Sequence, residues 1–109
     1  MRFGGYRTVW VIALFDLPTD TKEARSDYRQ FRSFLLDDGF VMLQYSVYAR
    51  HCASEENAAV HQKRIRAAVP PDGEVRILLM TDRQFGRMEI YCGAIRQPVE
   101  PAPRQVTMF

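Results

Sequence analysis

Polar and apolar positions fall in blocks along this chain, and the longest apolar block comes early. Val9-Trp10-Val11-Ile12-Ala13-Leu14-Phe15 is an unbroken run of mostly β-favouring residues that ends at Asp16 and then Leu17-Pro18. A run of this kind, closed by a carboxylate and a proline, predicts a strand buried on both faces. Next, Ala24, Tyr28, Phe31 and Leu35 recur at helical spacing, with Phe34 widening the stripe. They predict a helix capped by Thr19 or Asp20 that reaches about Asp38 and stops at Gly39. Residues 40–50 are extended, aromatic and β-branched, too long for one flat strand, and predict two short strands hinged near Gln44 to Ser46. Ser54, followed by Glu55 and Glu56, opens a second helix that runs to about Val69 and is closed by Pro70-Pro71. Its inner face carries Ala58, His61, Ile65, Ala68 and Val69.

Asp72-Gly73 makes a turn into a central-looking strand at residues 74–81, and residues 82–86 form a short helical turn or loop. Residues 88–92 predict a short strand stopped by Gly93. The order strand, helix, two strands, helix, strand is the split β-α-β pattern. The predicted fold class is therefore α+β: a ferredoxin-like βαββαβ sandwich over residues 1–96, with both helices on one face of a mostly antiparallel sheet. Residues 97–109 predict a Pro-rich linker and an extra C-terminal strand, about Arg104 to Phe109, that docks on the partner chain. A sheet covered on one face needs a cover on the other, which predicts a homodimer.

Composition narrows the class. With 109 residues and 47% hydrophobic content the chain suits one domain with its own core. There is no apolar run of about 18 residues, and the start, Met1-Arg2-Phe3-Gly4-Gly5, lacks the regions of a signal peptide, so a cytoplasmic protein with no membrane partner is expected. Cys52 and Cys92 stand far apart with no local Cys/His cluster, which argues for reduced thiols over a zinc site or disulfide framework. His51 and His61 likewise lack a second ligand at metal spacing.

A formal net charge of +2 neither demands nor excludes a polyanionic partner, so the distribution decides. Lys22, Arg25, Arg29 and Arg32 follow i, i+3, i+7, i+10 and align on one helix face beside the apolar stripe. They form either a phosphate-gripping row or a solvated surface with local ion pairs to Glu23, Asp27, Asp37 and Asp38. Asp16 lies at the carboxyl end of the predicted central strand, where ligands of α/β sheets collect, although Asp is also an ordinary turn residue. Asp20 and Asp82 are the acids that could neighbour it, and cap and turn roles account for both.

Taken together, Phe15-Asp16-Leu17-Pro18-Thr19, then Tyr28, Phe31 and Arg32, then Gly39-Phe40, Gln44-x-Ser46-Val47-Tyr48, Val75-Arg76-Ile77-Leu78 and Thr81-Asp82-x-Gln84-Phe85 resemble CRISPR-associated protein two. The likeness runs in order along nearly the whole chain. The Phe-Asp-Leu-Pro-Thr wording and the Gln105 to Phe109 ending look most like the type II branch. The resemblance implies a ferredoxin-like homodimer that pairs with the CRISPR-associated integrase, protein one, and holds a duplex DNA fragment for spacer integration. It also implies magnesium-dependent endonuclease activity on RNA or DNA, with the aspartate matched by Asp16 as metal ligand and catalytic residue. One carboxylate is a poor magnesium site, so Mg2+ would be shared between two Asp16 across the dimer. Two expectations follow: a scaffold that binds DNA through Lys22, Arg25, Arg29 and Arg32, and a metal-dependent phosphodiesterase acting through Asp16. An RNA-binding module of the same fold is disfavoured, because the strands lack its glycine-and-aromatic signature. A small-molecule-sensing domain of this fold stays open on physics alone.

Overall fold

The computed structural model of the protein describes residues 7–103. Strand β1 (Val9–Asp16) is the centre of a four-stranded sheet, pairing antiparallel with β3 (Val47–Cys52) on one side and β4 (Glu74–Thr81) on the other. Strand β2 (Val41–Gln44) adds to β3, giving the order β2-β3-β1-β4. Helix α1 (Lys22–Asp37) links β1 to β2, and α2 (Glu55–Ala68) links β3 to β4. This is the expected α+β ferredoxin-like sandwich. No helix among the described residues is long and apolar enough to cross a membrane.

The alternation of β1 divides the core in two. Val9, Val11, Ala13 and Phe15 pack with Phe31 and Leu35 of α1 and Ala58 and Ile65 of α2. Phe15 meets Phe31 edge to face with ring centroids 5.1 Å apart, a geometry that satisfies the ring quadrupoles. Trp10 and Ile12 point the other way and pack with Ala49 and Phe85. Phe85 belongs to a one-turn helix, α3 (Asp82–Gly86), and its ring stacks on Trp10 at 3.9 Å. Thr81 caps α3 through a reciprocal capping box with Gln84, which aims Phe85 inward. The expectation of a sheet with one wholly uncovered face is thus corrected. The chain itself, through Phe85, Met88 and Val99, closes the half of the second face around Trp10. Around Leu78, which is 49% exposed, that face stays open among the described residues.

Two local boundaries also differ. The cap of α1 is Thr21, not Thr19 or Asp20: its backbone is extended and its hydroxyl accepts the Ala24 amide at 3.0 Å. The segment after α3 is not a lone strand but a hairpin, β5 (Ile90–Cys92) and β6 (Ile95–Gln97), turned at Gly93 with φ of +66°. The C-terminal strand expected over residues 104–109 lies outside the described residues.

A polar network joins the layers. The His61 ring is buried, 4% exposed, and its Nδ1 donates to Asp38 Oδ2 at 2.7 Å while its Nε2 accepts from Arg50 Nε at 2.9 Å. Arg64 donates to the other Asp38 oxygen at 2.7 Å. Asp38, at the end of α1, is thereby tied to α2 and through His61 to β3. Gly39, with φ of +87°, is required beside it, since a Cβ there would fall 2.1 Å from the Arg50 guanidinium. Burial pushes the Asp38 carboxyl up, but hydrogen bonds from His61 and Arg64, and their charges, outweigh it and hold the group below its ordinary value of 3.8.

A lowered carboxylate adds stability that is present above the unfolded-state value and is lost as pH falls through the lowered native one. Asp38→Asn should cost about 1–3 kcal/mol near neutrality, because it weakens the buried hydrogen bond from His61 and removes the charge partner of the half-exposed Arg64. Acid titration of the folded fraction should also lose part of its steepness below the ordinary carboxylate range. Denaturant unfolding at neutral and acid pH measures both, and a variant as stable as the parent at neutral pH would show the network to be dispensable.

Candidate functional site

Because β1 is buried along its length, its chemistry is confined to its ends. Asp16 is its exposed last residue. It is paired in register with Glu74 of β4, and the alternation of β1 puts it on the face away from the helices, in line with Leu14 and Ile12. Glu74 is exposed and bonded by Arg76 through both oxygens at 3.2 and 3.3 Å. Among the described residues the chain thus brings one carboxylate without an ion pair, Asp16, to this end, with Glu74 across the ladder. Among the described residues no cluster of three or more His, Cys, Asp or Glu side chains could hold a metal ion. Magnesium prefers octahedral oxygen coordination and keeps several of its waters, so the donor chemistry fits at Asp16 only if another copy adds its own carboxylate.

Asp82 is not a neighbour of Asp16. Thr81 is paired with Val9, at the far end of β1, which is seven residues or about 20 Å from Asp16. There the Asp82 carboxylate accepts from Thr8 and lies 2.9 Å from His51 Nε2, under the Trp10 edge. Asp20 is exposed in the loop before α1 and takes part in no ion pair among the described residues.

Lys22, Arg25, Arg29 and Arg32 are all exposed on the outer flank of α1. The described residues hold the ion pairs Arg64–Asp38 and Arg76–Glu74 and the histidine–carboxylate contacts His51–Asp82 and His61–Asp38, and none involves this row. Asp38 is committed to His61 and Arg64. Arg25 donates to the Thr19 carbonyl at 3.2 Å, which fixes the start of the row beside the loop that follows Asp16. The row therefore stands as four cations free of ion pairs among the described residues, and it shares an end of the molecule with Asp16 without sharing a face of the sheet.

A third feature at this end had no sequence signal of its own. The β2–β3 connection is the two-residue turn Tyr45-Ser46, whose Ser46 carbonyl accepts the Phe15 amide at 3.1 Å, one residue before Asp16. Ser46 has φ of +64°, the one non-glycine residue with positive φ among the described residues. Its hydroxyl lies 3.3 Å from the Tyr28 hydroxyl, while Tyr45, 83% exposed, lies over the Tyr28 ring at 6.4 Å. In the sequence, Tyr45 reads as one more aromatic in a β-favouring run. Both cysteines are free, and burial pushes the Cys52 thiol up, away from reactive thiolate character.

Residues 9–88 match the family described as CRISPR associated protein Cas2. The chain is 60% identical over 101 residues to the CRISPR-associated endoribonuclease Cas2 of Parvibaculum lavamentivorans, covering 93% of this chain and all of that one. It is 50% identical to the protein of the same name from Flavobacterium psychrophilum, over 91% of this chain and 84% of the relative. A solved structure titled as a crystal structure of cas2 superposes with a TM-score of 0.55 at 20% identity, covering 85% of this chain and 95% of that one, and supports the fold. This chain belongs to the Cas2 family.

Proposed function

We propose that this Cas2-family chain is the dimeric, DNA-holding subunit of CRISPR adaptation, presenting the α1 row to duplex phosphates while it joins the CRISPR-associated integrase. The observation that carries the reading is the row itself: Lys22, Arg25, Arg29 and Arg32 are exposed on one flank of α1, and no ion pair among the described residues engages them. Phosphate contacts of this kind fix a duplex in place without reading its bases. The homodimer is supported by the open half of the second sheet face around Leu78 and by β4, an edge strand of the sheet. The apolar end of the chain, from Arg104 to Phe109, is suited to such an edge in the partner. A cytoplasmic location accords with this work, since the array to be extended is chromosomal DNA.

A second reading is supported by Asp16. Relatives carry the name endoribonuclease, and an exposed carboxylate at the tip of a central strand is a natural hydrolytic position. In this reading two Asp16 carboxylates, one from each copy, would hold one Mg2+, and the ion would supply the charge that neutralises a scissile phosphate in RNA or DNA. The chain's own residues would position the strand: the α1 row grips the backbone, and Asp16 holds its negative charge where the second copy's carboxylate completes the set.

Reversing Arg25, Arg29 and Arg32 to Glu should weaken binding of any duplex to a similar degree. It should also flatten the dependence of log K on log salt by about 2 to 3. Fluorescence anisotropy over a salt series measures both, and an unchanged slope would return the row to the status of a solvated surface.

Asp16→Asn should leave fold, dimerisation and spacer acquisition nearly intact while abolishing any magnesium-dependent cleavage, since the amide keeps the turn but loses the charge that holds a divalent ion. The readouts are acquisition in cells and cleavage of RNA and duplex DNA with and without magnesium. If a folded, dimeric, integrase-binding variant no longer acquires spacers, the scaffold reading fails and the enzyme reading takes its place.

A further inference from the structure

The turn at Tyr45-Ser46 is built at a cost that its connecting role does not explain. A two-residue connection whose second position has positive φ favours glycine or asparagine, yet here it is Ser46, at +64°. Sparsely populated backbone of this kind collects where the surroundings over-determine it, often beside function. Two contacts do so: the Ser46 carbonyl takes the Phe15 amide at 3.1 Å, and the Ser46 hydroxyl meets Tyr28 at 3.3 Å. Glycine would relieve the backbone but lose the second. The result is a tyrosine, Tyr45, that is 83% exposed and has the Tyr28 ring on one side, 30° from parallel with centroids 6.4 Å apart.

The helix flank beside Tyr28, the ring that Tyr45 faces, carries cations. Tyr28 has Arg25 three positions before it and Arg32 four after it, its neighbours on the helix surface. In sequence Tyr45 is flanked by Gln44 and Ser46. A protein partner would want contiguous apolar surface, whereas a nucleic acid wants cations for its backbone and a π face for any base that is not already stacked. We propose that Tyr45 is a stacking platform for an unpaired nucleobase, at the end of the molecule where Asp16 lies. The assignment rests on the nucleic-acid reading above and sharpens its substrate class: a duplex with an unpaired end, or a single strand, binds better than a blunt duplex. The cations grip backbone of either kind, so the base preference belongs to the ring.

The test uses the full chain and anisotropy of labelled DNA in three forms: a blunt duplex, the same duplex with a short oligothymidine overhang, and the same overhang made of abasic residues. The two overhangs carry equal charge and differ only in their bases. The parent should prefer the base-bearing overhang over the abasic one by roughly five- to a hundredfold, the range expected for one base–aromatic stack. Tyr45→Ala should erase that preference and leave blunt-duplex affinity unchanged, and Tyr45→Phe should keep it. Because the side chain is exposed, the alanine variant should melt like the parent. Equal affinity of the parent for both overhangs overturns the proposal, as does a preference that survives Tyr45→Ala. So does a Tyr45→Ala variant whose only change is in sedimentation, which would make the ring a contact between copies. If the parent binds none of the three DNAs, the underlying reading falls with it. If the Arg25, Arg29 and Arg32 reversal abolishes binding while Tyr45→Ala changes nothing, the reading survives and only the platform is lost.

Discussion

A strand that must be buried on both faces sets the terms for everything else in this protein. From Val9 to Ala13 no residue of β1 is more than 5% exposed, so each face must be covered by something, and the covering elements inherit the remaining roles. The helices cover the odd-numbered side with Phe31, Leu35, Ala58 and Ile65. The even-numbered side is closed at one end by the stack of Phe85 on Trp10, a contact that needs α3 to be capped correctly before its ring can point inward. What is left uncovered on this side includes Leu78, opposite Ile12 in the middle of the sheet, and the end of β1 at Asp16 and Glu74. Burial thus localises the open chemistry without any help from a pocket.

The same economy governs charge. A formal balance of +2 describes a nearly neutral protein, but the acids and bases are not mixed at random. Asp38 holds Arg64 and the His61 ring, and His61 in turn accepts from Arg50, so this end of α1 is internally neutralised. The opposite flank of the same helix keeps its cations exposed.

Much of this was legible beforehand, and the parts that were not have a common cause. The continuous apolar run named β1, the helical spacing of Tyr28, Phe31 and Leu35 named the inner face of α1, and the spacing of Lys22 to Arg32 named its basic flank, because each signal is local and periodic. The place of Asp16 at the exposed end of β1 was legible from position alone. The cover on the second face was missed because a five-residue helix and a three-residue hairpin strand carry too few residues to show a period. The role of His61 was hidden because a histidine on an inner helix face says nothing of its partners, which come from α1 and β3. Tyr45 was hidden for the opposite reason: its aromaticity agreed with the strand around it, and only the positive φ of Ser46 separates it from that strand.

The division of the site between two faces bears on how its functions relate. The α1 row lies on the helix layer, whereas Asp16 points to the open face where a second copy would dock. A nucleic acid held along α1 can therefore be gripped whether or not the opposite face is engaged. Chemistry at Asp16, by contrast, requires both a second carboxylate and a strand that reaches round the tip of β1. The tip is where the Tyr45-Ser46 turn and the Arg25-tethered loop flank the end of β1. On the reading proposed here, binding would be the less demanding function of this architecture, and cleavage would be conditional on assembly. On geometric grounds alone, a member of this family can lose its hydrolytic chemistry and keep its grip, while the reverse would need the tip to hold a substrate that nothing else positions.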